Sequence, residues 1–101
     1  MECVSVENFR AAMGGYLDRV SSRGEKFVIT RNQIPFVSLK PVPQRIQLEK
    51  VQTRKAKEVR TNISETLGAV HFQGKTLLIT RRGKPTAIVH SLRQNGSGAL
   101  I

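Results

Sequence analysis

Leu77-Leu78-Ile79-Thr80-Arg81-Arg82-Gly83-Lys84-Pro85-Thr86-Ala87-Ile88-Val89 reads as a β-hairpin, with two apolar, β-branched-rich runs around a short polar tip. Gly83 supplies the positive φ expected of a three-residue loop, and Pro85 sets the start of the return strand. The tip carries Arg81, Arg82 and Lys84 and no acid. Fifty residues earlier stands Phe27-Val28-Ile29-Thr30-Arg31-Asn32-Gln33-Ile34-Pro35-Phe36-Val37-Ser38-Leu39. Ile29-Thr30-Arg31 and Pro35 match Ile79-Thr80-Arg81 and Pro85 in register. The hairpin occurs twice.

The flanks repeat at the same interval. Phe9, Met13, Tyr16, Leu17 and Val20 fall on one helical face. Val59, Ile63, Thr66, Leu67 and Val70 follow them fifty positions later. Arg10 matches Arg60, and Gly24 matches Gly74, each glycine placed for a left-handed helix cap. Gly14-Gly15 predicts a kink or two short helices, since each glycine costs roughly 1 kcal/mol inside a helix. Asn62 with Glu65 has the spacing of a capping box. Glu2-Cys3-Val4-Ser5-Val6 alternates weakly, as an edge strand would; its counterpart before Val59 is basic, so the second copy is expected to have lost that strand. This is an internal duplication. Residues 1–42 form the first repeat, 43–57 a basic linker, 58–92 the second repeat and 93–101 a short tail. Within the linker, Arg45, Lys50, Arg54, Lys55 and Lys57 stand against Glu49, a net of +4. Ile46, Leu48 and Val51 suit either a strand or a helical turn there.

A unit of about forty residues buries too little core to stand alone. The expected architecture is therefore α+β: two tandem helix-plus-hairpin units packed as an intramolecular pseudo-dimer around a shared antiparallel sheet. That symmetry should set Arg10 beside Arg60 and the Arg31 tip beside the Arg81 tip. Paired basic elements on one face suit two DNA half-sites.

Composition agrees. The 101 residues carry a formal net charge of +10, which attracts nucleic acid, an anionic membrane or an acidic protein. No apolar run approaches the roughly 18–20 residues that span a bilayer, and no signal-peptide pattern opens the chain. The one cysteine, Cys3, cannot close an internal disulfide and is expected as a small buried hydrophobe. A cytoplasmic protein without a membrane partner is expected. His71 and His90 share no metal-ligand spacing with Cys3 or a carboxylate pair and are expected at the surface. No base–orienter arrangement and no glycine-rich phosphate loop is visible, so neither an enzyme nor a cofactor is expected.

Val4-Ser5-Val6, Phe9-Arg10, Met13, Tyr16-Leu17-Asp18-Arg19-Val20, Gly24-Glu25, Val28-Ile29-Thr30-Arg31 and Pro35 together resemble the Phd/YefM antitoxin family. The hairpin Leu78 to Ala87 resembles it more closely still, and the matches cover about residues 2–42 and 58–92. The resemblance implies a dimeric α+β fold and promoter DNA binding, with the helix arginine and the arginine after Ile-Thr as contacts. Those positions are Arg10 and Arg31, and by the repeat Arg60 and Arg81; Arg82 and Lys84 at the same tip complete the candidate nucleic-acid-binding set. Family members are single-copy and carry a C-terminal tail, often acidic, that wraps a toxin. Here two copies stand in one chain, and the nine residues after the second hairpin hold no acid. The expected function is an antitoxin-like autorepressor on (pseudo)palindromic double-stranded DNA, with a cognate toxin and further self-association left open as partnerships. The rival is a protein-interaction module that neutralises a toxin or binds another acidic partner; a third is a nonspecific nucleic-acid chaperone.

Overall fold

The computed structural model describes residues 2–47, 49 and 51–92; the tail assigned to 93–101 lies outside them. The element order is β1 (Glu2–Ser5), α1 (Val6–Ala11), α2 (Met13–Arg23), β2 (Phe27–Arg31) and β3 (Ile34–Lys40), then β4 (Val51–Lys55), α3 (Ala56–Thr61), α4 (Ile63–Gln73), β5 (Thr76–Arg81) and β6 (Lys84–Ser91). The second series repeats the first. All six strands form one sheet in the order β1-β2-β3-β6-β5-β4. It is mixed, not antiparallel throughout: β1 pairs parallel with β2, and β4 parallel with β5. A strand that reaches its neighbour through helices arrives in the same direction, whereas a tight turn reverses it.

Val51–Lys55 is therefore a strand, although the sequence places it in the linker, and α3 begins at Ala56, also inside that interval. The first strand of the second copy is present. It escapes the apolar pattern because an edge strand needs only backbone pairing on one side, and charged side chains suit an exposed edge. The same edge position explains Cys3, which is exposed, not buried; Val4, on the opposite face, enters the core.

Each helical stretch is two helices, as expected of the first copy but not of the second, and the break lies at Ala12 and Asn62, before the glycines. Gly14-Gly15 sits inside α2, and the second copy breaks identically with Ser64-Glu65 in their place. The glycines are thus not the cause. Ser5 caps α1, its Oγ accepting from the Asn8 N–H at 3.1 Å. The anticipated Asn62–Glu65 box does not form, and α4 has no side-chain cap. Glu58 instead accepts from the Lys55 N–H at 3.0 Å, one helix earlier, at the start of α3. Gly24 and Gly74 both close their helices at φ 67°.

Phe9, Met13, Leu17 and Val20 are buried against one face of the sheet together with Val59, Ile63, Leu67 and Val70. Phe27, Ile29, Val37 and Leu39 meet Leu77, Ile79, Ala87 and Val89 in the same core. In both hairpins the register slips by one residue, after Ile29 and after Ile79, leaving Phe36 and Thr86 as bulged positions. The halves join through antiparallel β3 and β6. Leu39 pairs with Val89, its own counterpart at the fifty-residue interval, with Ser38 opposite His90 and Lys40 opposite Ile88 to either side.

The other face of the sheet buries Leu78 and Ile88. Residues 43–47 cross it, forming a groove with Ile88, Thr76 and His90. His90 is therefore half-buried, its Nδ1 3.4 Å from the Thr76 hydroxyl, and not a free surface residue. Burial, then the Lys40 charge, pushes its pKa below the usual value. An imidazole that resists protonation only when folded stabilises the protein above its unfolded pKa, near 6.5, and loses that contribution as pH falls through the folded value. Thermal melting should accordingly drop as pH is lowered below about 6.5. His90→Gln should flatten that slope in a circular-dichroism series.

Both hairpin loops have two residues, not three, because Arg31 pairs with Ile34 and Arg81 with Lys84. Asn32 and Gln33 have φ of 52° and 66°, and Arg82 and Gly83 have 53° and 76°. Positive φ at both central positions is the requirement of a type I′ turn, for which Asn-Gly is best suited. Each copy carries half of that pair. Gln33→Gly should stabilise the protein by about 0.5–1 kcal/mol, the relief of a left-handed side chain less the entropy of glycine, as read from urea unfolding.

Candidate nucleic-acid interface

Arg10 and Arg60 end α1 and α3, where both side chains are exposed. The Arg10 Nε donates to the Arg60 carbonyl at 3.2 Å, so the two meet as the repeat predicts. A groove beside them is lined by Val6, Glu7, Arg10, Asn62 and Glu65. Among the described residues the Arg60 guanidinium has no protein partner.

The two tips do not meet. Because β3 and β6 run antiparallel and overlap only through their C-terminal halves, the Arg31 and Arg81 tips point to opposite ends of the sheet. Ten residue steps along β3 and β6 separate them, about 30–35 Å at strand spacing. The long dimension of the molecule is 37 Å.

The ends also differ. At the second, the Arg81 Nη1 donates to Asp18 Oδ1 at 2.7 Å and to the Gly14 carbonyl at 3.5 Å. Asp18 lies on α2, in the other half of the chain, and the position matching it in α4 is Gly68. Arg82 and Lys84 are exposed, and with Ser21, Thr86 and the Arg81–Asp18 pair they line an open groove. At the first end Arg31 meets no carboxylate among the described residues; its guanidinium lies 5.6 Å above the Phe36 ring. Phe36 stacks on His71 at 4.2 Å, and His71 Nδ1 lies 3.0 Å from the Phe36 carbonyl, so His71 is packed, not a free surface residue. Phe36 and His71 are the counterparts of Thr86 and Ser21, the small residues that leave the second groove open. Ile34, at the place of Lys84, is 65% exposed, as is nearby Phe72.

The seven acids account for little of the charge at these sites. Glu2 and Glu25 both pair with Arg19, at 3.0 and 2.7 Å, joining the end of α2 to β1. The Arg19 hydrogen bond holds the Glu25 carboxyl below the usual range. Arg19 also lies 4.8 Å over Phe27, so its role is structural. Arg10, Arg31, Arg60, Arg82 and Lys84 form no ion pair among the described residues. Guanidinium groups so presented can grip phosphate or a guanine edge with two parallel hydrogen bonds, and the lysine can grip phosphate as a point charge.

The pairing of Asp18 with Arg81, 63 residues away, and the Phe36–His71 stack leave no trace in any local sequence pattern. The signal lay in comparing the copies where they differ, at Asp18/Gly68 and Phe36/Thr86. Among the described residues no cluster of three or more His, Cys, Asp or Glu could hold a metal ion. No helix there is long and apolar enough to cross a membrane. No protein-family model, curated protein or solved structure matches the chain.

Proposed function

We propose that this chain is a cytoplasmic, sequence-selective DNA-binding protein of the Phd/YefM antitoxin type, acting as a repressor on pseudo-palindromic promoter DNA. Its two halves serve as an intramolecular pseudo-dimer. The observation that carries this reading is the pairing of Leu39 with Val89 between β3 and β6. A contact between equivalent residues is what a twofold axis produces, and it relates Arg10 to Arg60 and the Arg31 tip to the Arg81 tip. The tips' separation of about 30–35 Å is close to the roughly 34–36 Å between half-sites one DNA turn apart. Opposite ends of the sheet are thus better suited to two half-sites than adjacent tips would be.

Selection of bound duplexes from a random pool tests the reading. A recovered motif with two related halves, bound more tightly than its scrambled version at both low and high salt, is the expected result. Recovery without a motif, with steep salt dependence, would reduce the interaction to bulk charge. A second reading, a surface that captures a toxin or another protein, is favoured by exposed Ile34 and Phe72 at the first end.

A further inference from the structure

Two observations make the ends of this molecule chemically unequal. Arg81 is tethered to Asp18 at 2.7 Å, while Gly68 leaves Arg31 without a matching carboxylate. The groove beside Arg81 is open, while its counterpart is filled by Phe36 stacked on His71 at 4.2 Å. The Arg81 tether uses Nη1; among the described residues Nε and Nη2 make no hydrogen bond to the protein and stay available to a ligand. A guanidinium held by one nitrogen has already lost much of its rotamer freedom. It can dock bidentately on a base edge with little further ordering. Arg31, resting on an aromatic face, keeps more freedom and suits phosphate, whose position varies little with sequence.

From this we infer that Asp18 is a positioning residue for Arg81, so that the molecule reads one DNA half-site by base and grips the other mainly by backbone. The inference rests on the DNA-binding reading above. Asp18 reaches across from the other half of the chain, so this selectivity exists only when both halves are packed together. Its carboxylate also repels phosphate; it lowers bulk affinity while raising discrimination.

The test is the motif recovered from a random duplex pool by the full chain and by Asp18→Ala, with Asp18→Asn as the variant of matched size. The unmodified protein should return one sharply defined half and one degenerate half. Asp18→Ala should flatten the sharp half, lowering base discrimination there about three- to tenfold, the scale set by one immobilised side chain. The degenerate half should not change. Equal halves in the unmodified protein, or a variant that flattens both halves or neither, would overturn the inference while leaving DNA binding intact. A purely structural role would lower the melting temperature and total affinity without changing the contrast between halves, and that too would overturn it. No motif from the unmodified protein would instead remove the DNA reading itself.

Discussion

Replacing Arg31 and Arg81 together by alanine is expected to weaken binding to the selected duplex by about 30-fold to 10⁴-fold, since each guanidinium contact is worth about 1–3 kcal/mol. The salt dependence should fall with it. Where each arginine neutralises one phosphate, the slope of log affinity against log salt drops by about 0.9 per residue. The single variants should not behave alike. Arg31→Ala removes an exposed cation that makes no ion pair among the described residues and lies 5.6 Å above the Phe36 ring, so folding should be unaffected. Arg81→Ala also releases Asp18, leaving an exposed carboxylate beside the groove that adds repulsion to the lost contact. Fluorescence anisotropy at two salt concentrations measures both effects. A double variant that binds as tightly as the unmodified chain would remove the tips from the interface and leave Arg10 and Arg60 as the remaining candidates.

The second large effect is on folding. Leu39 is wholly buried where β3 meets β6. Leu39→Ala should cost about 2–5 kcal/mol, a large share of the 5–15 kcal/mol that stabilises a typical domain. Because α2 packs on β6 and α4 on β3, each half covers part of the other's sheet. Unfolding should therefore be one transition for the whole chain, displaced to lower denaturant by the mutation with little change in slope. Two separate transitions by circular dichroism, with only one of them moved, would show halves that fold independently. The same sharing bears on the site, because the Arg81–Asp18 pair joins one half to the other and cannot outlast their separation.

Much of the candidate site's inventory was legible in the chain. The fifty-residue interval marked Arg10 with Arg60 and Arg31 with Arg81 as equivalents, and the lack of acids at the second tip marked Arg81, Arg82 and Lys84 as accessible charge. What could not be read was environment. The acid that holds Arg81 comes from α2, far along the sequence, and the aromatic stack that fills one groove is formed by Phe36 and His71 from different halves. Local pattern reports which face a side chain takes on its own element. It does not report what other element covers that face.

Helix faces, capping glycines and paired hairpins were determined by the amino-acid sequence alone, because each depends on spacing and dihedral preference within a few neighbours. Phe9, Met13, Leu17 and Val20 with their counterparts, and Gly24 with Gly74, stand where that local physics puts them. Three features were decided only in the tertiary structure. Val51–Lys55 became a strand because β5 offered an unpaired edge, whatever the polarity of the side chains. The hairpin tips went to opposite ends because antiparallel pairing through Leu39 and Val89 turns the two units away from each other. The ends became unequal because Asp18 and Phe36 find their partners, Arg81 and His71, across the junction between halves, where their counterparts Gly68 and Thr86 supply neither a carboxylate nor a ring. Pairing and burial between distant segments depend on which surfaces meet, and no short window of sequence contains both.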